Sequence, residues 1–93
     1  MQNSYTRICE RRVTDGKTEY RYELMLCYKS IGGSAPIPIY SISAEMIING
    51  TRTFYRTGDL FTCEKKARSF FDKITEKLAT PLNMPYVIED ELS

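Results

Sequence analysis

The chain has 93 residues, of which 13 are Lys or Arg, 12 are Asp or Glu and none is His. This length predicts a single domain over residues 1–93, because two separate hydrophobic cores need more chain. With 42% hydrophobic and 27% charged residues and a net charge of +1, the composition is typical of a soluble globular protein. It excludes catalysis that depends on imidazole, His-ligated zinc and the strongly basic surface of a dedicated nucleic-acid-binding protein.

The first two thirds of the chain alternate between polar and apolar residues with the period of a β-strand. We predict a first strand over residues 4–14 and a second over 18–30, with a turn at Asp15-Gly16 between them. In the second strand every even-numbered residue from Tyr20 to Tyr28 is Tyr or Leu. This pattern predicts a buried face, called here the tyrosine face, and an opposite face that is largely exposed to water.

The pairing of the first two strands depends on the length of their turn. A two-residue loop pairs Thr14 with Lys17. That register places three first-strand residues on the tyrosine face: Arg7, Cys9 and Arg11. A three-residue loop with Gly16 in the left-handed conformation pairs Val13 with Lys17 instead. Because the second register buries fewer charged side chains, it is the one we expect.

A third strand is predicted over residues 37–48 and a fourth over 51–58. They are joined by Asn49-Gly50, which is the strongest hairpin signal in the chain. The preceding loop, residues 31–35, contains a Gly-Gly pair but lacks the Lys-Ser/Thr and the following helix of a phosphate-binding loop. We therefore predict no phosphate site there.

The last third of the chain changes to a helical period. We predict a helix over residues 63–79 with Thr62 as its N-cap, and a short second helix over 84–91 after Pro81. The apolar stripe of the first helix consists of Cys63, Ala67, Phe70, Phe71, Ile74 and Leu78. Together these elements predict an α+β fold. It is a four-stranded antiparallel β-meander, order 1-2-3-4, with one long amphipathic helix packed on one face and a short C-terminal helix.

The order of these features resembles a family of small bacterial proteins of unknown function, over roughly residues 18–92. The resemblance rests on Tyr20-x-Tyr22, Ile31-Gly32, the helix residues Ala67, Phe70 and Ile74, and the closing segment from Pro81 to Val87-Ile88-Glu89-Asp90. It implies a cytoplasmic, single-domain protein without an assigned activity. No catalytic residue follows from it.

The predicted outer face of the sheet, opposite the tyrosine face, mixes apolar and charged side chains. Its candidate interaction residues are Arg21, Met25, Lys29, Glu45, Ile47, Arg52, Phe54 and Arg56. Apolar groups rimmed by charges of both signs favour a protein partner or a homodimer. Nucleic-acid binding through the basic residues and Phe54 is the alternative, and a second helix folded over the apolar groups would leave no surface at all.

An enzyme is the least favoured hypothesis. It would need Cys63 as a nucleophile near a helix N-terminus, or Glu and Tyr residues as acid and base. Glu89-Asp90-Glu91 is a poor metal cage, because consecutive helical residues point in different directions. We therefore predict no catalytic residue, cofactor, metal or small-molecule ligand. The three dispersed cysteines, Cys9, Cys27 and Cys63, indicate free thiols, and no segment suits a signal peptide or membrane span, so a cytoplasmic location is expected.

Overall fold

The structure is a computed structural model that describes residues 5–30, 32–33 and 35–92. Its elements in chain order are β1 (Thr6–Asp15), β2 (Thr18–Lys29), β3 (Ile37–Ile48), β4 (Thr51–Arg56), α1 (Glu64–Glu76) and α2 (Met84–Leu92). The strands form one antiparallel sheet in the order β1-β2-β3-β4. The predicted α+β class, strand count and strand order are confirmed. Residue 4 of the predicted first strand, and Ile31 and Ser34 of the predicted loop, lie outside the described residues.

The hairpin between β3 and β4 forms as predicted. Asn49 and Gly50 have φ angles of 50° and 81°, the positive values that a type I′ turn requires at both central positions. The turn pairs Ile48 with Thr51, and the register continues without interruption to Ser43 opposite Arg56. β4 ends at Arg56, two residues before the predicted limit.

Both predicted registers of the first hairpin are wrong. The turn residues are Gly16 and Lys17, so that Asp15 pairs with Thr18. Gly16 has a φ of 63° and Lys17 does not have a positive φ, which is the pattern of a type II′ turn. The register also shifts at a β-bulge between Arg7 and Cys9.

This register places a charged residue, Arg11, on the tyrosine face, opposite Tyr22. The charge is tolerated because β1 is an edge strand and the side chain reaches α1. The guanidinium donates to Thr75 Oγ1 at 2.7 Å, pairs with Asp72 and lies 5.5 Å from the ring centroid of Phe71. The register we expected was chosen to keep arginines off this face, and it failed because the helix supplies the partners.

The first helix is shorter than predicted, with 13 residues rather than the whole of 63–79. Its N-cap is Cys63, not Thr62. Cys63 is exposed, so the buried stripe begins at Ala67. At the other end, Leu78 has a φ of 51° and so cannot continue a right-handed helix. The second helix has nine residues and ends one residue beyond its predicted limit.

Both helices pack on the tyrosine face. Phe70, Phe71 and Ile74 of α1 and Met84 of α2 are in one buried cluster with Tyr22 and four other sheet residues: Leu24, Tyr40, Ile42 and Ala44. Val87 and Ile88 of α2 pack against the same cluster. Of the predicted inward tyrosines, Tyr22 and Tyr40 are buried, whereas Tyr28 at the end of β2 is 60% exposed. The core is therefore a two-layer interface between the sheet and the helices.

The segment after β4 returns to β3 before the helix begins. The backbone N–H of Thr57 donates to the Ile42 carbonyl at 2.8 Å, and the Tyr40 N–H donates to the Phe61 carbonyl at 2.7 Å. Gly58 and Asp59 lie between these two contacts. Asp59 pairs there with Lys29 at 2.6 Å, so this segment ties the end of β2 to the entrance of α1.

Candidate functional site

The structure places all eight candidate interaction residues on one face of the sheet. In the observed registers Arg21 pairs with Glu45, and Glu45 pairs with Phe54. Ile47 pairs with Arg52, and paired residues of an antiparallel sheet project from the same face. Met25, Lys29 and Arg56 share this face because they lie at even intervals from these residues along their strands. This face, opposite the helices, is called the outer face below.

Glu45 is the centre of an ion-pair triad on the outer face. Its carboxylate forms an ion pair with Arg21 at 3.7 Å on one side and with Arg52 on the other. The Glu45 side chain is only 7% exposed, whereas the Arg52 side chain is 64% exposed. Two guanidinium groups flank a carboxylate that is largely removed from water. The single carboxylate therefore offsets part of the positive charge of Arg21 and Arg52.

Phe54 is the most exposed apolar residue of the candidate set. Half of its surface is open to solvent, whereas Met25 and Ile47 are half-buried. The Arg52 guanidinium lies 5.7 Å from the Phe54 ring centroid, within the range of a cation–π contact. Phe54, Ile47 and the Glu45 triad therefore form one mixed apolar and charged corner of the outer face, next to the Asn49-Gly50 turn.

The other two basic residues of the set are also occupied. Lys29 pairs with Asp59, and this hydrogen bond raises the pKa of the Lys29 ammonium above its usual value. The Arg56 guanidinium lies 5.0 Å from the ring centroid of Tyr5. Tyr5 precedes β1 at one edge of the sheet, whereas Arg56 ends β4 at the other, so their side chains reach toward each other across the outer face.

The centre of the outer face is buried although no described element is stacked on it. Cys27, Ser41 and Ser43 are at most 4% exposed. Ser41 Oγ has no hydrogen-bond partner among the described residues, and the same is true of Arg21 Nε. The small side chains are enclosed by their longer neighbours, so the accessible part of this face is its periphery.

The C-terminal helix does not cover this face. Met84, Val87 and Ile88 of α2 pack into the core on the tyrosine face, and Lys73 of α1 pairs with Glu91 at 3.2 Å. The alternative in which the second helix folds over Phe54 and Ile47 is therefore wrong. Among the described residues, both helices lie on the side away from the candidate site.

A second charge cluster lies on the outer face, and the sequence interpretation anticipated only its contact between Arg7 and Glu23, which the expected register places opposite each other. Arg7 bridges Glu10 at 3.0 Å and Glu23 at 3.1 Å, and Arg12 lies 3.5 Å from Glu10. The signal that could have found it is the spacing of these residues in β1, which was misread because the register of that strand was wrong. Because its two arginines pair with its two glutamates, this cluster carries no net charge on the β1–β2 side of the outer face.

A separate open groove of about 630 Å³ lies between the start of α1 and the end of α2. Its lining residues are Phe61, Lys65, Lys66, Ser69, Glu91 and Leu92. Ser69 carries the one hydroxyl group in this lining, and no imidazole lies beside it to activate it as a nucleophile. In the part of the chain that the structure describes, no cluster of His, Cys, Asp or Glu is placed to hold a metal ion.

Cys63 is the one exposed thiol among the three free cysteines. The backbone N–H of Lys66, at the start of α1, lowers the pKa of this thiol below its usual value, and the Lys65 amide and the two lysine charges act in the same direction. Its nearest basic neighbours are lysines, which cannot accept its proton while they are charged. Cys63 is thus an exposed thiol whose thiolate form is favoured by the start of α1.

Comparison with known proteins gives a family but no activity. A family model described as a family of unknown function, DUF6514, matches residues 1–93. No curated protein matches the chain, and no solved structure does. Because the model matches the whole chain, the chain belongs to this family. In the ranges that the structure describes, neither helix is both long and apolar enough to cross a membrane.

Proposed function

We propose that this member of the DUF6514 family is a non-enzymatic protein-interaction module that self-associates through the outer face of its sheet. The observation that carries the proposal is the corner formed by Phe54, Ile47 and the Glu45 triad. It combines a half-exposed aromatic ring with charges that are already paired, on a face that no described element covers. Aromatic and arginine residues are the side chains most enriched in protein interfaces.

The pairing of the basic residues favours a protein partner over a nucleic acid. Arg21 and Arg52 share Glu45, and Lys29 pairs with Asp59. A phosphate backbone would have to displace these carboxylates, which removes most of the electrostatic gain that drives such binding. A second protein surface can instead use the ion pairs as they are, as a polar rim around Phe54.

The proposed module works in the cytoplasm and without a cofactor. Its three cysteines are free, which is the usual state in a reducing compartment. The exposed thiol, Cys63, lies at the start of α1, on the helix layer rather than on the outer face. Association through the outer face would therefore leave this thiol unchanged.

The test is the mass of the protein in solution, measured by light scattering after size exclusion over a range of concentrations. We expect the wild-type protein to form a dimer and Phe54→Arg to remain a monomer. The substitution removes the apolar contact and places a second cation beside Arg52. It should not unfold the protein, because position 54 lies opposite Glu45 and is half exposed.

Leu82→Arg is the matched control. Leu82 is 73% exposed in the connection between the helices, away from the outer face. We expect this variant to dimerise like the wild type. A wild-type protein that stays monomeric at its highest attainable concentration would contradict the proposal, and so would equal loss of the dimer in both variants.

A further inference from the structure

The open edge of β4 is the least protected edge of the sheet. Among the described residues β4 pairs only with β3. In a two-residue hairpin the closing pair, Ile48 and Thr51, exchanges both backbone hydrogen bonds. Alternate residues of β4 therefore bond to β3, and the Thr57 N–H to Ile42 bond continues this alternation. The backbone groups of the remaining residues, Arg52, Phe54 and Arg56, point to the open edge.

The two edges of the sheet are protected to different degrees. β1 carries a bulge at Ile8 and a series of charged side chains, which are the usual devices that prevent pairing with another strand. β4 has no bulge and no proline, and four of its residues, Thr51, Thr53, Phe54 and Tyr55, have high strand propensity, although Arg52 and Arg56 also place charge at this edge. The edge of β4 can therefore accept a further strand, and that of β1 cannot.

We infer that the partner of this edge is a second copy of the chain, paired antiparallel β4 to β4 about a two-fold axis at Thr53. This inference rests on the proposed self-association, and it places the contact at the β4 edge that borders the Phe54 corner rather than on the outer face itself. Phe54 of each copy then lies opposite Arg52 of the other, and Thr53 lies opposite its own equivalent. The result is one continuous eight-stranded sheet whose outer face carries both copies of the Phe54 corner.

Charge complementarity favours this register over the registers whose two-fold axis lies at a nearby residue of β4. An axis at Phe54 would place Arg52 directly opposite Arg56 twice, and an axis at Arg52 would place that residue opposite itself. An axis at Tyr55 avoids both clashes but pairs only residues 54–56. The axis at Thr53 pairs residues 51–55, joins cations to aromatic rings, and uses the outward-directed backbone groups of Arg52 and Phe54 for hydrogen bonds.

Disulfide trapping tests the register. In this arrangement the two Thr53 residues form a non-hydrogen-bonded pair with Cα atoms about 4.5 Å apart, within the range of a disulfide. Thr53→Cys, in a Cys63→Ser background that removes the exposed native thiol, should form a covalent dimer under mild oxidation. Thr51→Cys in the same background is the control, because its two copies would be about 13 Å apart. We expect it to cross-link at least tenfold more slowly.

Proline substitution tests the pairing independently of any disulfide. Arg52→Pro removes an N–H that points to the open edge and so leaves the bonds between β3 and β4 in place. Arg52→Ala is its matched control, because both variants lose the ion pair with Glu45. We expect Arg52→Pro to be monomeric by light scattering and Arg52→Ala to retain a dimer.

The outcomes separate this inference from the proposed function. If the wild type dimerises and Phe54→Arg does not, but Thr53→Cys cross-links no faster than Thr51→Cys, the outer face associates without edge pairing and the inference is overturned. Faster cross-linking by Phe54→Cys, or a dimer of Arg52→Pro equal to that of Arg52→Ala, also overturns it. A monomeric wild type overturns both proposals.

Discussion

At the scale of single residues, Tyr22 joins the two layers of the molecule. Its side chain is fully buried, and its hydroxyl donates to the carbonyl of Ala79, just beyond α1, at 2.7 Å. Burial raises the pKa of the Tyr22 hydroxyl to about 12, and the neighbouring Tyr20 contributes to the rise. The neutral, donating form of the phenol is therefore the form that the folded state stabilises.

Tyr22→Phe should lower the free energy of unfolding by about 1–2 kcal/mol, because the Ala79 carbonyl loses its partner in a buried environment. Urea denaturation followed by circular dichroism measures the change. Tyr86→Phe is the control, because Tyr86 is 70% exposed and its substitution should change the stability little. Equal effects of the two substitutions would contradict the role assigned to the buried hydroxyl.

The raised pKa of Tyr22 also predicts a dependence of stability on pH. Above the ordinary tyrosine pKa of about 10, the unfolded state loses the proton while the folded state keeps it. The contribution of Tyr22 is therefore complete below about pH 10 and is lost as the pH rises through the folded-state pKa of about 12. Between these values the stability of Tyr22→Phe should fall less steeply than that of the wild type.

At the scale of elements, the end of α1 depends on a residue in an unfavourable conformation. Leu78 has a φ of 51°, and its N–H bonds to the Thr75 carbonyl at 3.3 Å, while the Ala79 N–H bonds to the Ile74 carbonyl at 3.0 Å. These two bonds are those of a Schellman motif, in which glycine is the usual residue at the left-handed position. The motif turns the chain from α1 toward α2.

Leu78→Gly should be more stable than Leu78→Val by about 1–2 kcal/mol, because only glycine adopts the left-handed conformation without steric cost. Both variants lose the leucine side chain, so the difference isolates the backbone. Urea denaturation provides the measurement. The same pair of substitutions at Leu82, which does not have a positive φ, should not favour glycine. A Val variant as stable as the Gly variant at position 78 would contradict this account.

The elements differ in how well the sequence predicted them. The limits of β3 and its register with β4 were predicted to the residue, because Asn49-Gly50 specifies one turn type and the turn specifies the pairing. The register of β1 was predicted wrongly. Gly16 can adopt a positive φ in more than one turn type, and no local sequence pattern marks the bulge at Ile8. The end of α1 was missed because a leucine in the left-handed conformation is uncommon.

The candidate site, too, was predicted from the sequence only in part. Period two was sufficient to place the eight candidate residues on one face. It could not give the depth of Glu45 or the reach of Arg56 to Tyr5, because these depend on side-chain packing across several strands. The alternative in which the second helix covers the outer face is wrong for a related reason. The chain direction after the Leu78 turn decides which layer α2 joins, and no residue pattern in α2 itself encodes that direction.

At the scale of the whole molecule, the near balance of charge conceals an uneven distribution. Residues 1–58 hold eight basic and five acidic residues, a net +3, whereas residues 59–93 hold five basic and seven acidic residues, a net −2. Among the described residues, Arg11 pairs with Asp72 and Lys29 pairs with Asp59, and these ion pairs join the two regions. The opposite net charges of the two regions thus help to hold the helical segment to the sheet.

Two of the three thiols differ strongly in burial, so their rates of chemical modification should differ as well. Cys63 is exposed, whereas Cys27 is 1% exposed in β2, one of the two central strands. We expect a small alkylating reagent to modify Cys63 in the native protein, with a half-maximal rate at a pH below that of an ordinary cysteine, because its pKa is lowered. Cys27 should react far more slowly, since the longer side chains of the outer face enclose its thiol.

Mass spectrometry of the modified protein over time measures both rates. Cys63→Ser should remove the fast phase and leave the slow modification of Cys27 unchanged. Modification of Cys27 as fast as that of Cys63 would show instead that the side chains enclosing Cys27 on the outer face open while the protein stays folded.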